Sequence, residues 1–158
     1  PSFHPETIAT PFHLPQKRTG KIMLKRFTIS LDEKLLEQFD TAITRRKYVN
    51  RSEAIRDLIR SAFIEEEWQA DKDVIGVISM VYDHHQSKLQ EKVTEIQHEY
   101  HDQIVSATHI HMDHHNCLEV VIVKGKAGLI NELADRLRSL RGVRNCKMAM
   151  STTGKDLH

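Results

Sequence analysis

Residues 97–119 read QHEYHDQIVSATHIHMDHHNCLE. The whole chain has 11 histidines and two cysteines, and this window holds His98, His101, His109, His111, His114, His115 and Cys117. Crowded imidazoles add little to the stability of a domain, whereas a metal ion uses them directly as nitrogen donors. Val105 to Met112 alternates and is rich in β-branched residues, which predicts a strand. His109 and His111 then project from one face, about 6.6 Å apart at a strand's rise. Asp113 to Asn116 is a polar turn, and Cys117 to Val123 alternates again. Folded back as a hairpin, the second strand brings Cys117 close to His111. Two imidazoles and a thiol converge without help from a distant element. His98 lies on the helical segment before the hairpin. His84, His85, His101, His114 and His115 are read as solvated or supporting residues rather than ligands.

The hairpin sits inside a longer alternation of elements. Val74 to Tyr82 is an apolar strand, and His85 to Gln103 reads as a helix through Leu89, Val93 and Ile96. Ala127 to Leu140 makes another helix with Ile130, Leu133, Ala134 and Leu137. Arg141-Gly142 ends it, and Val143 to Met150 is the last strand, in which Cys146 packs rather than binds metal. The order βαββαβ is ferredoxin-like.

Upstream, Arg26-Phe27-Thr28-Ile29-Ser30-Leu31 alternates polar and apolar. Asp32 can cap a helix carrying Leu35, Phe39, Ala42 and Ile43. Asn50, with Glu53 three residues on, starts a second helix whose inner face is Ala54, Ile55, Leu58, Ile59, Ala62 and Phe63. One short strand cannot make a sheet, and its backbone is satisfied most simply by the same strand of a second copy. The resulting two-stranded ribbon shows Arg26, Thr28 and Ser30 twice on its outer face. A β-ribbon fits the DNA major groove, where Arg can read guanine. The helix start at Asn50-Arg51-Ser52 can hold a backbone phosphate.

The organisation that follows is α+β. It comprises an arm at 1–22, a dimeric β-α-α unit at 23–69, a linker at 70–73, a βαββαβ domain at 74–150 and a tail at 151–158. The arm holds all four prolines and turns basic at Lys17, Arg18 and Lys21. Hydrophobic residues make up 39% and charged ones 28%, with a net charge of +1, so any DNA-binding charge must be local. Two cysteines give no disulfide framework and fit a reducing cytosol. No apolar run reaches membrane-spanning length and no signal-peptide core is evident, so a cytoplasmic protein without membrane association is expected.

KRFTISLDEKLLEQFD followed by NRSEAIRDLIR resembles the ribbon-helix-helix family of DNA-binding proteins. Joined to the H-x10-H-x-H-x5-C spacing of residues 98–117, it resembles the nickel-responsive transcriptional repressors of bacteria and archaea, over about residues 24–150. The resemblance implies that the C-terminal unit is an ACT-type domain, with helices on one sheet face and a second subunit on the other. It also implies a homotetramer holding one square-planar Ni²⁺ per subunit and binding a palindromic duplex to repress nickel-uptake genes. Glu53 and Asp57 would contribute to a second cation site.

With that architecture, Thr108, Ile110, Met112, Leu118, Val120 and Ile122 are placed on the helix-covered side. His109, His111, Cys117, Glu119, Val121 and Val123 are placed on the open face. His98, behind its own sheet, would then reach the site of a neighbouring copy. The expected ligands are His109, His111 and Cys117 of one chain and His98 of another. Glu119 is a supporting hydrogen-bond partner, and Tyr82 helps close the site. Allosteric coupling between metal and DNA binding is the expected mechanism. A metal-storage protein and a metalloenzyme are the competing readings. An enzyme would need an open coordination position and an acid–base pair, and neither is evident.

Overall fold

The computed structural model describes residues 24–155 and residue 157; the whole N-terminal arm at 1–22, with its basic residues, lies outside them. Helix α1 (Glu33–Arg45) begins where the Asp32 carboxylate accepts from the Leu35 N–H. Helix α2 (Arg51–Gln69) begins where Asn50 accepts from the Glu53 N–H. Both caps answer orphan donors of a first helical turn. Residues 24–31 make no ladder among the described residues. The β-α-α segment lacks a core of its own. Ile43 and Ala54 are buried, but Phe27, Ile29, Leu58, Ile59 and Phe63 are exposed. Beyond Ala54 and half-buried Ile55, the face expected to point inward on α2 is therefore largely uncovered among the described residues.

The C-terminal half is a four-stranded antiparallel sheet under two helices. Its elements are β1 (Asp73–Asp83), α3 (Leu89–Glu99), β2 (Ile104–His111), β3 (Asn116–Lys126), α4 (Ala127–Arg138) and β4 (Val143–Ser151). The strand order β2-β3-β1-β4 is that of a ferredoxin-like βαββαβ unit. Val74, Ile78, Met80 and Tyr82 of β1 are fully buried against Leu89 and Val93 of α3 and Ile130, Leu133 and Leu137 of α4. Burying each such side chain contributes about 1.5–3 kcal/mol. Cys146 joins this core from β4, as its strand pattern suggested.

Two expectations are corrected here. Helix α3 is shorter than His85–Gln103. The Asp83 carboxylate and carbonyl accept from the His85 and Gln86 N–H groups, Lys88 takes φ 65°, and the helix opens only at Leu89. The sheet faces are also the reverse of those expected. Tyr82 pairs with Cys117, Met80 with Glu119 and Ile78 with Val121. His109 pairs with Glu119 and His111 with Cys117. The ligand candidates therefore share the helix-covered side with the core. Thr108, Ile110, Leu118, Val120 and Ile122 occupy the open face, and Met112 follows just past the end of β2. Leu118-Glu119-Val120-Val121-Ile122-Val123 offers apolar residues in both phases, so alternation alone does not select the inner face.

Candidate metal centre

The hairpin between β2 and β3 is closed by one carboxylate. Asp113 Oδ1 accepts from the N–H groups of His115 and Asn116, both at 2.8 Å, and Oδ2 accepts from Asn116 Nδ2 at 2.8 Å. These bonds, that to the Asn116 side chain first, hold the Asp113 carboxyl down at about 2. Such an Asx-type closure sets the register. His111 consequently lies opposite Cys117.

Cys117 is fully buried, and its Sγ lies 3.2 Å from His111 Nδ1 and 3.4 Å from His84 Nδ1. The donor atoms of His84, His111 and Cys117 all fall within 4.8 Å of one another. No other His, Cys, Asp or Glu group among the described residues is gathered in this way. His84 was expected to stand aside. The signal for it was available: two residues beyond Tyr82, it continues the same face of β1, and its N–H donates to the His115 carbonyl. Burial, and then the neighbouring His85 and His111, lower its pKa, so the neutral ligating form is favoured. Burial also pushes the Cys117 thiol up, with Asp113, Glu119 and Asp83 adding to the effect. A thiol and imidazoles so placed suit a borderline or soft divalent ion.

His109 stands beside this group, its ring 4.8 Å from that of His111, centroid to centroid. Its Nδ1 lies 3.0 Å from Glu119 Oε2 and 3.1 Å from the Tyr82 hydroxyl. Glu119 is buried and also accepts from Gln97 Nε2 at 2.7 Å. The Tyr82 hydroxyl, 3.1 Å from Glu119 Oε2 and 2.9 Å from Gln90 Oε1, is held in its protonated form by burial and by the Glu119 charge. A carboxylate on Nδ1 selects the tautomer that leaves Nε2 free to ligate.

His98 is in neither cluster. It is exposed at the end of α3 and lines a shallow recess with Thr94, Gln97, His101 and Ile104. The edge strand β2 is exposed from Val105 to His111, and no described strand pairs with its outer side.

In the N-terminal segment, Arg26, Thr28, Ser30 and Ser52 are exposed. Arg51 donates through Nε and Nη2 to both oxygens of Asp40, at 2.8 and 2.6 Å. Glu53 pairs with Arg56 at 2.7 Å, and Asp57 accepts from the Tyr48 hydroxyl, so neither carboxylate stands free.

Comparison with known proteins separates the two halves in the same way. Residues 75–151 match the family described as NikR C terminal nickel binding domain. Residues 25–66 match the family described as Ribbon-helix-helix protein, copG family. A relative from Desulfotalea psychrophila is 64% identical over 136 residues, covering 86% of this chain and 100% of the relative. The chain belongs to the nickel-responsive regulator family. Further relatives are found in Geobacter sulfurreducens, 52% identical over 84% of this chain and 96% of its own length, and in Thermococcus kodakarensis, 53% identical over the same two shares. All three carry names describing nickel-responsive regulators. The family is one of transcriptional regulators rather than enzymes, which disfavours the storage and metalloenzyme alternatives. No helix among the described residues is long and apolar enough to cross a membrane.

Proposed function

We propose that this chain is a cytoplasmic, nickel-responsive DNA-binding regulator, mainly a repressor of nickel-uptake genes, in which nickel held between copies of the chain controls operator binding. The observation that carries this reading is the convergence of Cys117 Sγ with imidazole nitrogens in a chain that also carries a ribbon-helix-helix segment. The proposed donors are His109, His111 and Cys117 of one chain with His98 of a second copy, one ion per chain. Two features support a second copy at this site. His98 is exposed away from its own cluster, and β2 offers a bare edge with Val105 and Ile110 exposed and Met112 beyond it. A second reading replaces His98 and His109 by His84, favoured by the 4.8 Å grouping within one chain.

The ion would supply binding free energy that depends on how two chains are juxtaposed. The protein's own residues do the remaining work. Glu119 and Tyr82 fix the His109 ring, Asp113 fixes the hairpin register, and Cys117 loses its proton when it ligates, which makes affinity pH-dependent. In the N-terminal half, paired residues 26–31 would form the ribbon that presents Arg26, Thr28 and Ser30 to base edges. Asn50, Arg51 and Ser52 would meet phosphate, with Arg51 first released from Asp40. The exposed apolar faces of both halves fit a homotetramer, a dimer of ribbon dimers joined by the sheet domains. Two ribbons on one palindrome gain affinity through effective concentration, without new base contacts. A second cation at Glu53 and Asp57 would have to displace Arg56 and the Tyr48 hydroxyl, and is expected to bind more weakly than the nickel.

Binding of the full chain to its candidate promoter, measured by anisotropy without metal, with Ni²⁺ and with Zn²⁺, tests this reading. Tight, specific binding with Ni²⁺ alone is expected. Equal binding in all three states would remove the sensor; no binding in any state would remove the regulator.

A further inference from the structure

A cleft lined by residues of α2, of β3 and of the chain beyond β4 is used by neither the nickel site nor the ribbon. Glu67, in the last turn of α2, is 8% exposed, and its Oε2 has no hydrogen-bond partner among the described residues. A carboxylate taken out of water costs free energy unless a donor meets it, so a bare buried oxygen marks a place where a donor is missing.

The cleft has a volume of about 570 Å³, within the range of small-molecule sites. Glu67 lines it together with Lys72, Lys124, Lys126 and Lys155. Of the four lysines, only Lys126 has an ion pair among the described residues, with Asp73 at 3.7 Å. Asp102, also on the rim, lies 3.3 Å from His101. Lys124 is set on β3, where its N–H donates to the Gln103 carbonyl at 2.7 Å. Lys155 follows a turn in which the Gly154 N–H donates to Thr152 Oγ1 at 3.1 Å. Lys72, Lys124 and Lys155 thus bring three unopposed positive charges from three separate segments. One part of the cleft asks for a positively charged donor and another for an anion. Three ammonium groups without ion pairs suit a doubly charged phosphate better than a single carboxylate. A metal ion is ill suited, because the lysines would repel it and no ligand set is gathered here among the described residues.

We propose that this cleft binds a small phosphorylated primary amine, its ammonium donating to the Glu67 carboxylate and its phosphate meeting Lys72, Lys124 and Lys155. Glu67 belongs to α2 and Lys124 to β3. The ligand therefore selects the arrangement in which those segments face each other, out of any others that the connection between them permits. No residue assigned above to nickel or DNA takes part, so failure of this proposal would leave the regulator reading standing.

Calorimetric titration of the full chain with O-phosphoethanolamine tests it, beside inorganic phosphate, ethanolamine and vesicles of phosphatidylethanolamine. O-phosphoethanolamine should bind about tenfold or more tightly than inorganic phosphate or ethanolamine, because each end adds charge-assisted bonds. Glu67→Gln should remove that advantage and leave inorganic phosphate within about twofold, whereas Lys124→Gln should weaken both phosphates by about threefold or more. No binding, or O-phosphoethanolamine held no more tightly than inorganic phosphate, overturns the proposal. So does unchanged affinity in a folded Glu67→Gln, with folding read by thermal denaturation. Lys124→Gln, at an exposed position, carries the test if Glu67→Gln fails to fold, and unchanged affinity there overturns the proposal equally. Binding to the vesicles alone would place a lipid headgroup at the cleft and overturn its assignment to a free molecule.

Discussion

Glu119→Ala separates orientation of a ligand from ligation itself. The buried carboxylate lies 3.0 Å from His109 Nδ1, 2.7 Å from Gln97 Nε2 and 3.1 Å from the Tyr82 hydroxyl. Removing it takes away the group that selects the His109 tautomer and holds the ring. Losses of this kind typically cost about 10–100-fold in metal affinity, or about 1.4–2.7 kcal/mol. The cost to folding should be smaller. Tyr82 keeps Gln90 at 2.9 Å, and half-buried Gln97 can turn to water. Two of the three lost hydrogen bonds thus have substitutes, and a buried charge is removed with them, so a net destabilisation of about 1 kcal/mol is expected. Glu119→Gln should fall between parent and Ala, because its amide oxygen can accept while its amide nitrogen faces a donor. Competition with a chelator of known nickel affinity, run beside thermal denaturation, reads both quantities. Unchanged nickel affinity in Glu119→Ala would refute the argument: His109 would then need no orienting carboxylate, or would not be a donor.

Cys117→Ala should weaken nickel binding by more than the ~100-fold expected for loss of a supporting group; a smaller effect in the same competition assay would remove the thiol from the ligand set. Arg26→Ala should weaken operator binding by about 1–3 kcal/mol with nickel affinity unchanged, read by anisotropy and chelator competition on one preparation. Asp40 has a carboxyl held below its ordinary 3.8 by the Arg51 hydrogen bonds. Its contribution to stability is therefore present above that value and lost as pH falls through the lower folded value. Asp40→Asn should be less stable than the parent to urea near neutral pH, and the difference should close in strong acid. A constant difference would contradict the assignment.

Much of this arrangement was legible in the residues. Asp32 and Asn50 cap helices where they were expected to, because short polar side chains before apolar stripes have few other uses. The βαββαβ order followed from alternating periods, and the meeting of His111 with Cys117 followed from a hairpin with a polar turn. The inner face of β3 was not legible. Leu118, Val120 and Ile122 compete with Val121 and Val123 for the core, and the outcome depends on Met80 and Tyr82 of β1, which are distant in sequence. The start of α3 was misplaced because the Asp83 turn and the left-handed Lys88 outweigh an apolar period that continues through them. His84 was overlooked although its parity with Tyr82 marks the face it joins. The cleft at Glu67 gathers Lys72, Lys124 and Lys155, partners that no local pattern connects.

Mixing two inactive variants tests the central claim most directly. Chains carrying only His98→Ala lack the donor proposed to reach across, and chains carrying only Cys117→Ala lack the thiol that receives it. Each variant alone should bind nickel weakly. Unfolded together and refolded as mixed oligomers, they should regain a fraction of tight nickel sites and, with them, nickel-dependent operator binding, because some interfaces pair an intact His98 with an intact Cys117. Mixed oligomers that recover no tight site would mean that the ion is held within one chain, and would contradict the account.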